Sequence, residues 1–196
     1  GTELERRGVS MSAQAWCGPA AVENAEALEA VHRDYLEAGA DVVTANTFAG
    51  ARPLLALDGV ADRFDEINRG AVRTARRAIE RYGRPDTLLA GSLSHRGPIV
   101  AGTARPDREA APQGAALEAS FRELATLLAE EGCDVILLEM MYDPERMPFA
   151  FAAAVDTGLP VWAGFSARRA ADGRVVGFGP DTDTPFEEIV AILRDF

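Results

Sequence analysis

The sequence is poor in cysteine, in long apolar runs and in positive charge, and each shortage excludes something. Cys17 and Cys133 are its only cysteines in 196 residues. Two lone thiols make no disulfide framework and suit a reducing compartment, so a cytoplasmic location is expected. No apolar run approaches the roughly 20 residues of a membrane-spanning helix, and no signal-peptide pattern is visible. Twenty basic residues stand against 31 acidic ones, a net charge of −11. Nucleic acid and anionic membrane surfaces both require a basic face, so neither is expected as a partner. A glycine-rich phosphate turn is also absent. With 47% hydrophobic residues, the chain is long enough for one domain over residues 1–196 with a substantial core.

What is present is a repeat. Glu37–Thr47 reads EAGADVVTANT, and Glu130–Glu139 reads EEGCDVILLE. Without a gap, Gly39 aligns with Gly132, Asp41 with Asp134, and Val42-Val43 with Val135-Ile136. Each copy reads as a helix end, a glycine stop, one small residue, Asp, and a short apolar strand. Gly39 and Gly132 suit the left-handed position that closes a helix, where a Cβ is strained. Side chains alternate along a strand, so Val42, Thr44 and Asn46 share one face, as do Val135, Leu137 and Glu139.

The rest of the chain repeats the alternation. A capping-box spacing at Thr2 and Glu5 predicts a short opening helix, followed by a Val9–Gly18 loop with Trp16 and Cys17. Apolar spacing predicts helices over 19–38, 60–82 and 113–131, the second with Phe64, Ile67, Ala71, Ala75 and Ile79 facing inward. Strands are expected over 41–47, 87–93, 133–139 and 160–165. Asp143-Pro144 caps a helix running to about Asp156, and local helix is possible over 54–57. Residues 94–112 form a long loop rich in Gly, Pro and Arg, a length that in compact domains is usually functional or disordered. A small hairpin turns at Asp172-Gly173, and Thr184-Pro185 reads as N-cap and first position of a last helix. No strand precedes the first helix and nothing terminates the last, so the chain looks cut at both ends.

Strands separated by helices imply parallel pairing with right-handed crossovers. The repeat and the missing phosphate turn favour an α/β fold of the (β/α)8 TIM-barrel type, with the first strand and the C-terminal units missing. A doubly wound open sheet shares the pattern. In a barrel, the strand ends and the loops after them form the active site, which puts Asn46 and Glu139 in one mouth.

Gly1-Thr2-Glu3-Leu4 with Arg7-Gly8, then VHRDYLEAGADVVTANTF, AGSL at 90–93 and FRELATLLAEEGCDVILLEMM together resemble the homocysteine S-methyltransferase family over nearly the whole chain. The resemblance implies a barrel that binds a catalytic zinc, which holds the homocysteine thiolate for attack on a methyl donor to form methionine. A related thiol or selenol is an alternative acceptor. By the same resemblance, Glu139 matches the acid that holds the substrate amino group, and Asn46, Thr47 and Phe48 match the loop lining the substrate pocket. Ser92 and His95, at the end of the AGSL strand, are secondary candidates. The family's zinc cysteines follow later strands, and none of those positions lies within 1–196. Neither a metal ligand nor a catalytic residue is therefore assigned here.

Simpler roles stand beside these. Glu139 could pair with an arginine or a backbone N–H, and Asn46 could satisfy neighbouring loops. Cys133 takes the place of Ala40 and reads as a small buried side chain, Cys17 as a loop residue without a partner at metal spacing, and His32 as a surface or boundary residue. Met140-Met141 read as core or barrel-rim packing. Arg96, Arg105, Arg108 and Arg168-Arg169 read as solvated loop residues, with a phosphate or polyglutamyl partner as the alternative. Two rival functions remain: another barrel enzyme acting on a small anionic substrate, or an amino-acid-binding module without the metal. Strand edges left by a partial barrel predict aggregation or a homo-oligomer.

Overall fold

A computed structural model describes residues 1–12, 14–100, 103, 105–180 and 182–196. The opening helix, α1 (Thr2–Arg6), starts one residue earlier than the capping box predicts: the Gly1 carbonyl accepts from Glu5 N at 3.0 Å, and Thr2 makes no cap bond. The helix expected over 19–38 is two, α2 (Ala20–Glu23) and α3 (Ala25–Glu37). Asn24 leaves helical geometry between them (φ −139°, ψ 42°). Ala20 and Ala21 then cluster with Leu4, Leu28 and Ala71.

Strand β1 (Val42–Thr44) is shorter than expected because the chain turns at Ala45, whose carbonyl accepts from Thr47 N at 2.8 Å. Helix α4 (Arg52–Leu57) and a 3-10 turn (Ala61–Arg63) lead into α5 (Phe64–Tyr82), which buries all five predicted inward positions. Then follow β2 (Leu88–Ser94), α6 (Gly114–Glu130), β3 (Val135–Met141), α7 (Met147–Val155) and β4 (Val161–Phe165). The hairpin forms as expected, β5 (Ala167–Arg169) against β6 (Val175–Gly177), with Gly173 at φ +87° in its turn. Helix α8 (Phe186–Ala191) has Pro185, not Thr184, at its N-cap, because ψ of 135° keeps Pro185 outside the helix. The long loop forms as a connection between β2 and α6; Ala101, Gly102 and Ala104 within it, and Ala13 in the Val9–Gly18 loop, lie outside the described residues.

The four strands pair in parallel and in chain order, β1-β2-β3-β4. Their crossover helices sit side by side, α3 on α5, α5 on α6 and α6 on α7. Helices in one layer over sequential strands make a barrel arc; a doubly wound sheet would place them on both faces. The expected barrel is present only as this open arc, since β1 and β4 each have one strand neighbour among the described residues.

The arc has two unlike faces. Val43, Leu89, Leu93, Ile136 and Leu138 point under the helices and join Phe64, Phe121 and Phe151 in the core, each such burial stabilising by about 1.5–3 kcal/mol. The opposite face carries Thr44, Ser92, Leu137 and Glu139, and leaves Trp162 45% exposed. Both copies of the repeat behave as predicted at their glycines, with φ of +99° at Gly39 and +80° at Gly132. The following aspartates anchor strand starts: Asp134 Oδ2 accepts from Leu89 N at 2.7 Å, while the Asp41 carbonyl accepts from Leu88 N and its carboxylate pairs with Arg84. Among the described residues, no helix is long and apolar enough to cross a membrane.

Candidate functional site

Parallel strands present their C-terminal ends at one rim, and four hydrogen bonds hold that rim in place. Thr47 Oγ1 donates to the Ser92 carbonyl at 2.8 Å, and Ser92 Oγ donates to Glu139 Oε1 at 2.6 Å. From behind, buried Asn68 Nδ2 donates to the Gly50 carbonyl and to that of Phe64, both at 2.9 Å. Gly50 is required there, since a Cβ would stand 2.0 Å from Asn68 Oδ1. The loop after β1 is thus locked to α5 on one side and to β2 and β3 on the other.

In front of this strap lies a cavity of about 790 Å³, lined among others by Glu139, Asn46, Phe48, Trp16, Cys17 and Arg96. Asn46 and Glu139 do share one mouth. Asn46 is clamped: its Nδ2 donates to the Cys17 carbonyl at 2.7 Å, and Cys17 Sγ donates to its Oδ1 at 2.9 Å. Trp16, with φ of +50°, meets Phe48 edge-on at 6.2 Å. Gln14 and Ile99 exchange side-chain-to-backbone bonds at 3.0 and 3.1 Å, tying the long loop across the entrance.

Glu139 keeps the face that alternation gives it, and an irregularity follows directly after it. The β3–β4 register shifts between Leu138 and Met141, and Met140 takes φ of +58°. Such bulges re-aim side chains at a sheet's functional rim. Met141 consequently enters the core, while Met140 is 37% exposed at the cavity. Ser92 hydroxyl is the partner found for Glu139, which forms no ion pair among the described residues.

The structure sorts the sequence candidates. Glu139, Asn46 and Phe48 line the cavity; Thr47 and Ser92 are fully buried and act behind it, through Ser92 upon Glu139. His95 belongs to a different, neighbouring cavity, with its ring edge-on to Tyr142 at 4.5 Å. His32 corrects its expectation as a surface or boundary residue: it is 7% exposed and lines the larger cavity, because the stripe of α3 turns it inward. Burial pushes its imidazole down to about 4, opposed by the nearby Glu29 carboxylate. Arg96 is likewise no freely solvated loop residue: it lies half-buried between the two cavities, and burial lowers its pKa. Arg108 does sit at the surface, paired with Glu145, whereas Arg168 is half-buried in β5, donating to the Gly179 and Thr182 carbonyls and pairing with Asp183.

Trp16 and Cys17 line the cavity, a placement that sequence reasoning missed. They come from a loop without periodicity, and nothing local marks which side chains reach the rim.

Cys133 is buried under the helices, where burial pushes its thiol up to about 12. No group of three or more His, Cys, Asp or Glu among the described residues could hold a metal ion.

The family profile described as Homocysteine S-methyltransferase matches residues 1–194. The homocysteine S-methyltransferase of Escherichia coli is 28% identical over 204 residues, covering 100% of this chain and 63% of its own length. Methionine synthase of Mycobacterium tuberculosis is 33% identical over 120 residues, 60% of this chain and 10% of that protein. The crystal structure of the E. coli homocysteine methyltransferase MmuM in its metallated form superposes with a TM-score of 0.76 at 26% identity, covering 100% of this chain and 68% of that one. The chain thus spans less than two thirds of the curated relatives it matches. With a parallel arc, a rim site and a profile match over almost every residue, the chain belongs to the homocysteine S-methyltransferase family.

Proposed function

We propose that this protein serves methyl transfer to the thiol of homocysteine, or of a closely related thiol or selenol, and that residues 1–196 supply the part that holds the acceptor's amino-acid end. The observation that carries this reading is the unpaired Glu139 carboxylate at the cavity mouth, oriented by Ser92 at 2.6 Å. An anion half-buried without a cation is costly unless something positive completes it. A substrate ammonium would do so. Phe48, Trp16 and Met140 offer apolar surface for the side-chain arm, and the clamped Asn46 keeps an amide at the same rim.

Zinc is what family membership implies, and the residues present do not fit it. A metal-bound thiol is deprotonated, whereas Cys133 is buried with its thiol held protonated, and Cys17 is engaged with Asn46. His32 and His95 face different cavities. No step of the reaction is therefore assigned to metal held by these residues, and the donor and the methionine product rest on the family alone.

Titration calorimetry with homocysteine tests the acceptor role. Replacing Glu139→Gln removes a charge-assisted contact of about 1.5–3 kcal/mol, so Kd should rise by roughly tenfold or more. An unchanged Kd in the folded variant would remove Glu139 from substrate binding.

A further inference from the structure

Next to the larger cavity lies a second one of about 340 Å³, between the long loop and the start of α7. Among the described residues, three of its lining groups have unmet bonding capacity. His95 is 2% exposed and neither ring nitrogen has a hydrogen-bond partner. Arg96 is half-buried with its Nε lacking any partner. Arg146 spends Nε on the His95 carbonyl at 2.9 Å and Nη1 on the Pro112 carbonyl at 3.3 Å, and meets no carboxylate at ion-pair distance. Two half-buried guanidinium groups, neither with a carboxylate at ion-pair distance among the described residues, leave donor capacity for an anion, although Asp143 attracts Arg146 from further away.

The acids at the same cavity are otherwise engaged. Glu145 pairs with Arg108 at 3.1 Å, Asp107 accepts from Ala110 N at 3.0 Å, and Asp143 accepts from Glu145 N at 3.0 Å. Tyr142, between His95 and Phe178, supplies an aromatic wall.

We propose that this second cavity binds the carboxylate of a small organic anion, with Arg96 and Arg146 as its charged donors and His95 giving one N–H. Planar guanidinium forks match a carboxylate's two oxygens. Phosphate, which concentrates its charge on one compact group, is disfavoured by Asp107, Asp143 and Glu145 around the same cavity. Arg96 and Met140 line both cavities, so the anion sits beside the Glu139 pocket and could be occupied together with it. The inference does not rest on the homocysteine reading.

The test is calorimetric titration of the folded chain with glutarate and with inorganic phosphate at fixed ionic strength, on wild type and Arg96→Met. Among the described residues Arg96 makes no side-chain hydrogen bond, so the variant is expected to fold, which circular dichroism checks. Saturable glutarate binding that weakens by roughly tenfold or more in the variant is expected, with phosphate weaker than glutarate. Wild type that does not bind glutarate saturably, or a variant that binds it equally well, overturns the site; phosphate binding more tightly than glutarate overturns the carboxylate assignment.

Discussion

Acidification should destabilise this fold through its two histidines before the carboxylates titrate. Burial holds His32 down to about 4 and His95 down to about 3, the latter reinforced by the Arg146 charge. An imidazole in an unfolded chain titrates near about 6.5. The unfolded chain therefore binds protons that the native state refuses. Stability is complete above the unfolded value and is lost as pH falls toward the folded ones. Between about pH 7.5 and about pH 5, the linkage relation gives about 2 kcal/mol for each histidine, about 4 kcal/mol together. That is a large share of the roughly 5–15 kcal/mol that holds a typical domain. Among the described residues, His32 Nε2 and both His95 nitrogens have no hydrogen-bond partner. The assay is urea unfolding at the two pH values, in a zwitterionic buffer that leaves the second cavity free of anions. Wild type is compared with His32→Leu and His95→Leu. Each substitution should remove about half of the pH-dependent loss. Variants that lose as much stability as wild type would refute the buried, neutral state of these rings.

Two further tests concern the frame around the site. Gly132→Ala puts a Cβ on a residue at φ +80° and should cost about 1–2 kcal/mol in urea unfolding; a neutral result would mean that the helix end relaxes freely. The free edges of β1 and β4, with exposed Leu88 and Trp162 on the open face of the sheet, predict concentration-dependent self-association in light scattering. A strictly monomeric sample across the concentration range would show that those edges are protected in another way.

The strap Thr47–Ser92–Glu139 gives the site a mechanical logic. Each member comes from a different strand end, so the carboxylate is placed by the arc and not by its own loop. A site built across strands keeps its geometry only while the strand register holds. The parallel pairing of Ser94 with Glu139 and of Ser92 with Leu137 fixes that register.

Much of this was legible in the sequence, for identifiable reasons. Helix α5 and the strands announce themselves through period, because the face that must be buried dictates residue type at every third or fourth, or every second, position. The repeated glycines are legible because their backbone geometry excludes other residues, and the pairing of Asn46 with Glu139 follows from alternation along parallel strands. The motif words carried the family and the expected role of Glu139. Other features were decided only by packing in three dimensions. The bulge at Met140, the break at Asn24, the burial of His32 and His95, and the arrival of Cys17 and Trp16 at the rim arise from contacts between residues far apart in the chain. Such contacts leave no local period to read. The same holds for Arg96 and Arg146: a charged loop residue and a charged residue at a helix start look solvated in sequence, and only the fold shows that they are half-buried around one cavity.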